Sequence, residues 1–238
     1  MGQGAVPPPI VRKHPSQFRL RTVARYRACH PAHYYYVRSK LATDPVVKEI
    51  LWHFQQFPGG RLLDAGCGRG QFSLLLLEAG LVDSAVGFDH DAEKIAAANL
   101  ASKGELGAHF RQGDLASVAS ESPPFQGEST ESILLIDVLH YLDEKSQLAA
   151  LRALCRQLAP GGYLLLRETN HGSWGSKLAR FFERWGRYLG INQGAQLTFL
   201  SPDELQRALE KGGLQVERHS GKGVLDNVLL VGHKRARS

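Results

Sequence analysis

The stretch "GRLLDAGCGRGQFSLLLLEAG", residues 60–80, decides the fold. A short apolar run, Leu62-Leu63, ends in Asp64. Glycines follow at alternate positions, Gly66, Gly68 and Gly70, and then comes a leucine-rich segment of helical length. A strand that turns through glycines into a helix opens a βαβ unit. Such a turn lets a ligand approach the main chain beside the free N–H groups of the helix start. A dinucleotide-binding turn would read G-x-G-x-x-G. Here the third glycine comes one position early, and Gln71 stands where that pattern wants glycine. Asp64 would also repel a phosphate, whereas it would favour a cationic ligand.

The rest of the chain continues the alternation. "SAVGFDHD" (84–91), "AHFRQGDL" (108–115), "ESILLIDVLH" (131–140) and "GGYLLLRET" (161–169) read as strands. "DAEKIAAANLASK" and "DEKSQLAALRALCRQLAPGG" read as helices, the second closed by Pro160 and two glycines. Strands alternating with helices of this length predict a parallel sheet covered on both faces. Ser201-Pro202-Asp203-Glu204 is a capping box with proline at the first helical position. "LQVERHS" and "NVLLVGHK" follow with no helix between them, so that pair is expected to be antiparallel.

Composition narrows the setting. About 43% of the 238 residues are hydrophobic, enough for a sizeable core. No apolar run approaches the ~20 residues of a membrane span, and no secretory h-region follows the first methionine. Gly2 could accept a myristoyl group, but Val6 stands where serine or threonine is wanted. Cys29, Cys67 and Cys155 are odd in number and far apart, which suits a reducing, cytoplasmic setting better than a disulfide framework. The net charge of +6 is uneven: no acid precedes Asp44, while Arg12, Lys13, Arg19, Arg21, Arg25, Arg27, Arg38 and Lys40 do. Residues 1–25, with Pro7 to Pro9, are read as a flexible basic arm, and 26–58 as a helical cap. Residues 59–238 are read as the ligand-binding domain, with a lid inserted at about 171–199.

The D-x-G-x-G-x-G pattern resembles motif one of the class I S-adenosylmethionine-dependent methyltransferases, whose cofactor carries a positive sulfonium. The pieces of that family follow in order over residues 60–170. Asp89, ending "VGFD", falls where the family binds the ribose hydroxyls, with His90 beside the adenosine. Asp114 of "QGDL" falls near the adenine amino group, next to Leu115. "DVLHYL", with Asp137, ends the fourth strand beneath the sulfonium, and "LAPGGYLLL" matches the turn into the fifth. The resemblance implies a Rossmann-like, seven-stranded, mostly parallel sheet with helices on both faces and the last strand antiparallel. It implies S-adenosylmethionine as cofactor, held by Asp64, Gly66, Cys67, Gly68, Gly70, Asp89, His90, Asp114, Leu115, Asp137 and Arg38.

Methyl transfer is an in-line displacement for which the protein aligns the acceptor, and a hydroxyl acceptor is helped by a base. The candidate bases at the carboxyl edge of the sheet are His140, Glu168 and His171; a structural role for His140, capping the next helix, stays open. No Asn-Pro-Pro-Tyr-like segment follows the fourth strand, which weighs against amino acceptors on adenines or planar amides. No acid pair with a neighbouring asparagine suggests a divalent metal. The acceptor site is expected to be lined by Tyr34, Tyr35, Tyr36, Tyr141 and Trp174. In residues 177–189 an apolar face (Leu178, Phe181, Phe182, Trp185, Leu189) opposes a basic one, so this lid helix packs on the domain or lies on an anionic membrane surface.

A narrower resemblance joins "YRACHPAHYYYVRSKLATDPV" (26–46) to the methyltransferases of bacterial aryl polyene pigment clusters, through Tyr26, Arg27, Arg38, Lys40, Leu41, Asp44 and Pro45. It implies an aromatic or polyketide-like acceptor, carried free or on an acidic carrier protein. The reading as a whole is methyl transfer to a small aromatic, polyketide-like or lipid-like molecule. The alternatives are an RNA methyltransferase using the basic arm, nucleic acid being less favoured, and an inactive cofactor-binding partner subunit. The sequence leaves the oligomeric state open.

Overall fold

A computed structural model describes residues 15–104, 107–118, 130–169, 197–220 and 227–236. Three helices precede the sheet: α1 (Pro15–Arg25), α2 (Pro31–Thr43) and α3 (Val46–Gln56). Then come β1 (Arg61–Ala65), α4 (Gln71–Glu78), β2 (Ser84–Asp89), α5 (Ala92–Ala101) and β3 (Ala108–Gln112). They are followed by β4 (Thr130–Ile136), α6 (Glu144–Gln157), β5 (Leu158–Thr169), α7 (Pro202–Lys211), β6 (Leu214–Ser220) and β7 (Asn227–Lys234).

The seven strands form one sheet in the order β3-β2-β1-β4-β5-β7-β6. β1 to β5 are parallel, and β7 runs antiparallel to both β5 and β6. The order reverses between β1 and β4, and in open α/β sheets ligands bind at the carboxyl ends of the strands beside such a reversal. Alternation along the strands feeds two cores. Leu62, Leu134, Leu165 and Val231 face the layer made by α1 to α5. Leu63, Ile133, Leu135, Leu164 and Leu230 face the layer made by α6 and α7. Both faces are covered, which is why the central strands read as unbroken apolar runs.

The expected capping box is formed: Ser201 Oγ accepts from Glu204 N at 3.3 Å, and Glu204 Oε2 accepts from Ser201 N at 2.7 Å. One boundary differs from the sequence reading. α6 stops at Gln157, and Pro160 with its glycines lies inside β5, in a register shift opposite Thr130 and Ser132. Proline has no N–H to give a ladder, so a bulge is where it is tolerated.

The basic arm needs a larger correction. Its last eleven residues are α1, packed on α4 with Phe18 and Thr22 buried. Arg25 Nε donates to Glu78 Oε1 at 2.6 Å, and Arg21 donates to the Glu78 carbonyl at 3.2 Å. Two arginines thus meet the carboxyl end of α4, where cations are favoured. Residues 1–14 lie outside the described residues, as do His171, Trp174 and the lid helix at 177–189. Among the described residues no helix is long and apolar enough to cross a membrane.

Candidate active site

The turn after β1 is built from the main chain. Gly66 N and Cys67 N both donate to Phe88 O at 2.9 Å, and Gly70 N donates to Cys67 O at 2.9 Å. All three glycines have positive φ, +75°, +56° and +71° at 66, 68 and 70. Their reasons differ. A Cβ at Gly66 would lie 2.5 Å from Val138, and one at Gly70 would lie 2.6 Å from Phe110. At Gly68 it would meet nothing within 4 Å. The sequence reading gave all three to the ligand; in the structure only Gly68 opens onto free space, and the other two serve packing. Gly68 N donates to Asp89 Oδ2 at 2.9 Å, and Asp91 N donates to Asp89 Oδ1 at 3.0 Å. Asp89 therefore stands beside that open position, while the His90 side chain is 72% exposed, 3.4 Å from Asp89 Oδ1.

Two other residues of the expected set lie beneath the turn. Asp64 is 2% exposed and accepts from Ser73 Oγ at 2.6 Å. Burial, with the nearby Asp89 charge, pushes its carboxyl up to about 7 despite the Ser73 hydrogen bond. It does not face a ligand as a free charge. Cys67 has its thiol buried against Gly87, and burial raises its pKa well above the usual thiol range. Only its main chain is available to the turn. Asp114 is exposed and accepts from Ala116 N at 2.9 Å, capping a short 3-10 turn whose Leu115 is buried beside Phe88.

At the end of β4, Asp137 has φ +55°, the left-handed region, alone among the described non-glycine residues. Such a conformation persists where its surroundings fix it. Its N–H donates to Arg167 O at 2.9 Å, and its carboxylate takes Arg167 Nε at 2.9 Å and a second guanidinium N–H. Arg167 also grips Asp44 through two bonds of 2.6 and 2.9 Å. Lys40 Nζ lies 2.7 Å from Asp44 and 3.5 Å from Asp137. Burial alone would raise both carboxyls, but the two cations hold them below the ordinary range. The quartet bolts the cap to the sheet edge. Arg38, expected at the cofactor, is exposed on the outer face of α2. Of the cations on this helix, Lys40 is the one that reaches the edge.

The third constellation joins β5 to the turn after β4. Glu168 Oε1 accepts from Val138 N at 3.0 Å and Leu139 N at 2.7 Å. Its Oε2 lies 2.8 Å from His140 Nδ1. This carboxylate, 4% exposed, has both oxygens engaged, so neither is left free in the cleft. Burial would lower the His140 pKa, but the Glu168 hydrogen bond and charge raise it overall. The imidazole stacks on Phe199, centroids 5.3 Å apart at 17°, and Tyr141 lies against it at 4.3 Å. His140 O accepts from Thr198 N at 3.1 Å, and Gln147 Nε2 holds Thr198 O at 2.7 Å. A shallow hollow between His140, Glu168, Phe199 and Leu205 results.

Of the expected acceptor residues, Tyr141 is 38% exposed; burial, with Asp137 and Glu168 nearby, pushes its phenol up to about 12, and it stays protonated. Tyr36 also lies near Tyr141, whereas Tyr35 is 61% exposed on the outer side of α2, edge-on to Tyr34 at 5.2 Å. Tyr34 and Tyr36 pack against the core.

Comparison with known proteins decides what this edge belongs to. The family described as "Methyltransferase domain" matches residues 35–219. The chain belongs to the class I S-adenosylmethionine-dependent methyltransferases. Over 181 residues it is 27% identical to a ubiquinone biosynthesis O-methyltransferase of Xanthomonas euvesicatoria, covering 76% of this methyltransferase and 73% of that one. A tRNA N(3)-cytidine methyltransferase of Gallus gallus is 28% identical over 176 residues, 68% of this chain but 46% of the avian protein. Among solved structures, the N-methyltransferase NodS of Bradyrhizobium japonicum with S-adenosylhomocysteine superposes with a TM-score of 0.59 at 18% identity, covering 93% and 99% of the two chains.

The cofactor of this methyltransferase is S-adenosylmethionine. The turn fits it: the bare cradle at Gly68 is where a Cβ would fill the space a ligand needs, and Asp89 flanks it. Four of the shared cap positions of the pigment-cluster resemblance have structural duties. Tyr26 hydrogen-bonds Arg69 O, Leu41 is buried, and Lys40 and Asp44 belong to the quartet. They report how the cap is fastened and do not speak to the acceptor. The sequence reading missed Arg167, although an arginine inside the run "LLLRET" was its visible signal.

Proposed function

We propose that this methyltransferase methylates a hydroxyl oxygen of a small aromatic acceptor, with His140 taking the proton and Glu168 positioning it. The observation that carries the reading is the His140–Glu168 pair at 2.8 Å. With Nδ1 bound to the carboxylate, the ring offers Nε2 as its proton-accepting atom, and the carboxylate stabilises the imidazolium that forms. Phe199, Tyr141 and Tyr36 supply aromatic surface beside it. The O-methyl transfer named for the Xanthomonas relative supports the choice of oxygen.

Bound S-adenosylmethionine supplies an electrophilic methyl group and leaves as S-adenosylhomocysteine. In this reading the Gly68 main chain cradles it, Asp89 accepts from its ribose hydroxyls, and Asp114 with Leu115 meets the adenine. Asp137, pinned by Arg167, shapes the floor at the β4 edge. The acceptor arrives free or on an acidic carrier protein. Two cations of the basic arm, Arg21 and Arg25, pair with Glu78, which leaves fewer of them for an RNA acceptor. The test incubates the protein with labelled S-adenosylmethionine and, separately, a panel of phenols and total tRNA. Label on a phenolic oxygen, lost about 10²–10⁴-fold in His140→Gln, is the expected result. Label on tRNA alone, or a fully active His140→Gln, would refute it.

A further inference from the structure

Arg69, the residue between Gly68 and Gly70, is 7% exposed and held at both its ends by elements that precede β1. Its carbonyl accepts from Tyr26 Oη at 2.5 Å. Its Nε–H donates to His33 Nδ1 at 2.7 Å, and its guanidinium lies 4.1 Å from the centroid of the Tyr36 ring. His33 and Tyr36 are one turn apart on α2, so a single helix face grips the side chain. None of these contacts belongs to the quartet or to the His140–Glu168 pair. They converge on the peptide next to Gly68, the one position of the turn whose missing Cβ faces open space.

We propose that Arg69 is a positioning residue for the cofactor: clamped by Tyr26, His33 and Tyr36, it fixes the glycine turn to the cap, so that cofactor affinity depends on the cap and weakens when His33 takes up a proton. The inference rests on the cofactor of the family and is independent of which acceptor is methylated.

The proton sensitivity follows from the donor and acceptor roles. Nδ1 of His33 accepts from Arg69, so a neutral His33 carries its proton on Nε2. Protonating Nδ1 removes the acceptor and sets two cations against each other. The charged and titratable groups facing this pair come from three sides. At the cap of α2 stands His30, edge-on at 6.3 Å, and on α2 itself Tyr36. From the start of α5 they are Asp91, itself paired with Lys94 at 3.1 Å, and Glu93. Beyond them stand Tyr26 and Asp89. Burial, then Arg69 and His30, lower the His33 pKa, while Glu93 and Asp91 oppose them. His33 is therefore neutral near pH 7 and the clamp is closed, and it opens as the pH falls below the ordinary histidine value of about 6.5.

The experiment is calorimetric titration of S-adenosylhomocysteine into the full chain between pH 7.5 and 5.0. It compares the wild type with Arg69→Ala, Tyr26→Phe and His33→Asn, whose amide oxygen can replace Nδ1 as acceptor but does not titrate. Arg69→Ala is expected to bind about tenfold more weakly at pH 7.5, and Tyr26→Phe a few-fold more weakly. His33→Asn should match the wild type at pH 7.5 and bind about five- to tenfold more tightly than it at pH 5.0. Asp64 and every other group common to both proteins cancel in that ratio. Should Arg69→Ala fail to fold, the His33→Asn ratio decides alone. Parallel wild-type and His33→Asn profiles, or a folded Arg69→Ala binding within twofold of the wild type, would overturn the proposal.

Discussion

Arg167, near the carboxyl end of β5, holds Asp44, between α2 and α3, through two hydrogen bonds of 2.6 and 2.9 Å, across 123 residues of chain. The same guanidinium holds Asp137 at the end of β4, so one side chain sets the cap and the strand edge together. Removing one partner of a buried ion pair leaves an uncompensated charge. Arg167→Met is expected to cost about 3–5 kcal/mol, read as a lower urea midpoint at pH 7. Because Asp44 and Asp137 are held below the ordinary carboxylate range, their contribution is present above pH 4 and is lost as the pH falls into their depressed range. The variant should therefore lose part of the acid-side slope of the stability curve.

Asp64 works in the opposite sense. Its folded pKa is raised to about 7, so the native state binds a proton that the unfolded chain releases near 3.8. Its stabilising contribution is complete below the unfolded value and declines as the pH rises through 7. Asp64→Asn keeps an acceptor for Ser73 Oγ and removes the charge. It is expected to be more stable than the wild type at pH 8 by a few kcal/mol, on the order of 1.4 for each pKa unit, with the two converging near pH 4. Thermal unfolding at the two pH values checks this.

The three glycines of the turn should separate into two classes. Gly68→Ala places a methyl group in open space at φ +56°, so strain of about 1–2 kcal/mol is its whole cost to folding. It is expected to lose S-adenosylhomocysteine affinity by more than that strain explains. Gly66→Ala and Gly70→Ala drive a Cβ to 2.5 and 2.6 Å from Val138 and Phe110. They should lose stability first, and their melting temperatures should fall further than that of Gly68→Ala.

His140 should be visible in the pH dependence of kcat/KM. A base works when unprotonated, and its raised pKa predicts a rate that climbs with pH through a value above the ordinary 6.5. Glu168→Gln removes the charge that raises it and leaves the amide to hold the 138–140 turn less well. The variant is expected to lose about 10²-fold or more in kcat and to shift the inflection to lower pH. An unshifted inflection would mean that another group titrates.

Much of the fold is legible in the sequence because its cues are local. The apolar runs at Leu62, Val86 and Leu164, the glycine turn and the Ser201–Glu204 box each announce an element within about ten residues. The hairpin of β6 and β7 follows from the lack of room for a helix between them. What stays hidden depends on distant partners. α1 reads as a solvated basic arm because Glu78, which pairs with Arg21 and Arg25, is more than fifty residues away. Arg38 and Lys40 look alike along the chain, yet the turn of α2 sends one to solvent and the other to Asp44. Glu168 is visible as a carboxylate at the right edge. That both its oxygens are committed to Val138, Leu139 and His140 is a matter of tertiary geometry.

Oxygen methylation assisted by His140 can be read from a single competition. The protein is incubated at pH 8 with S-adenosylmethionine and an aminophenol, which offers a hydroxyl and an amino group on one ring, and the product is identified by mass spectrometry and NMR. The expected product is a methyl ether, formed at least about a hundredfold more slowly by His140→Gln. A methylamine as the main product, or an ether formed equally well by both proteins, would contradict it.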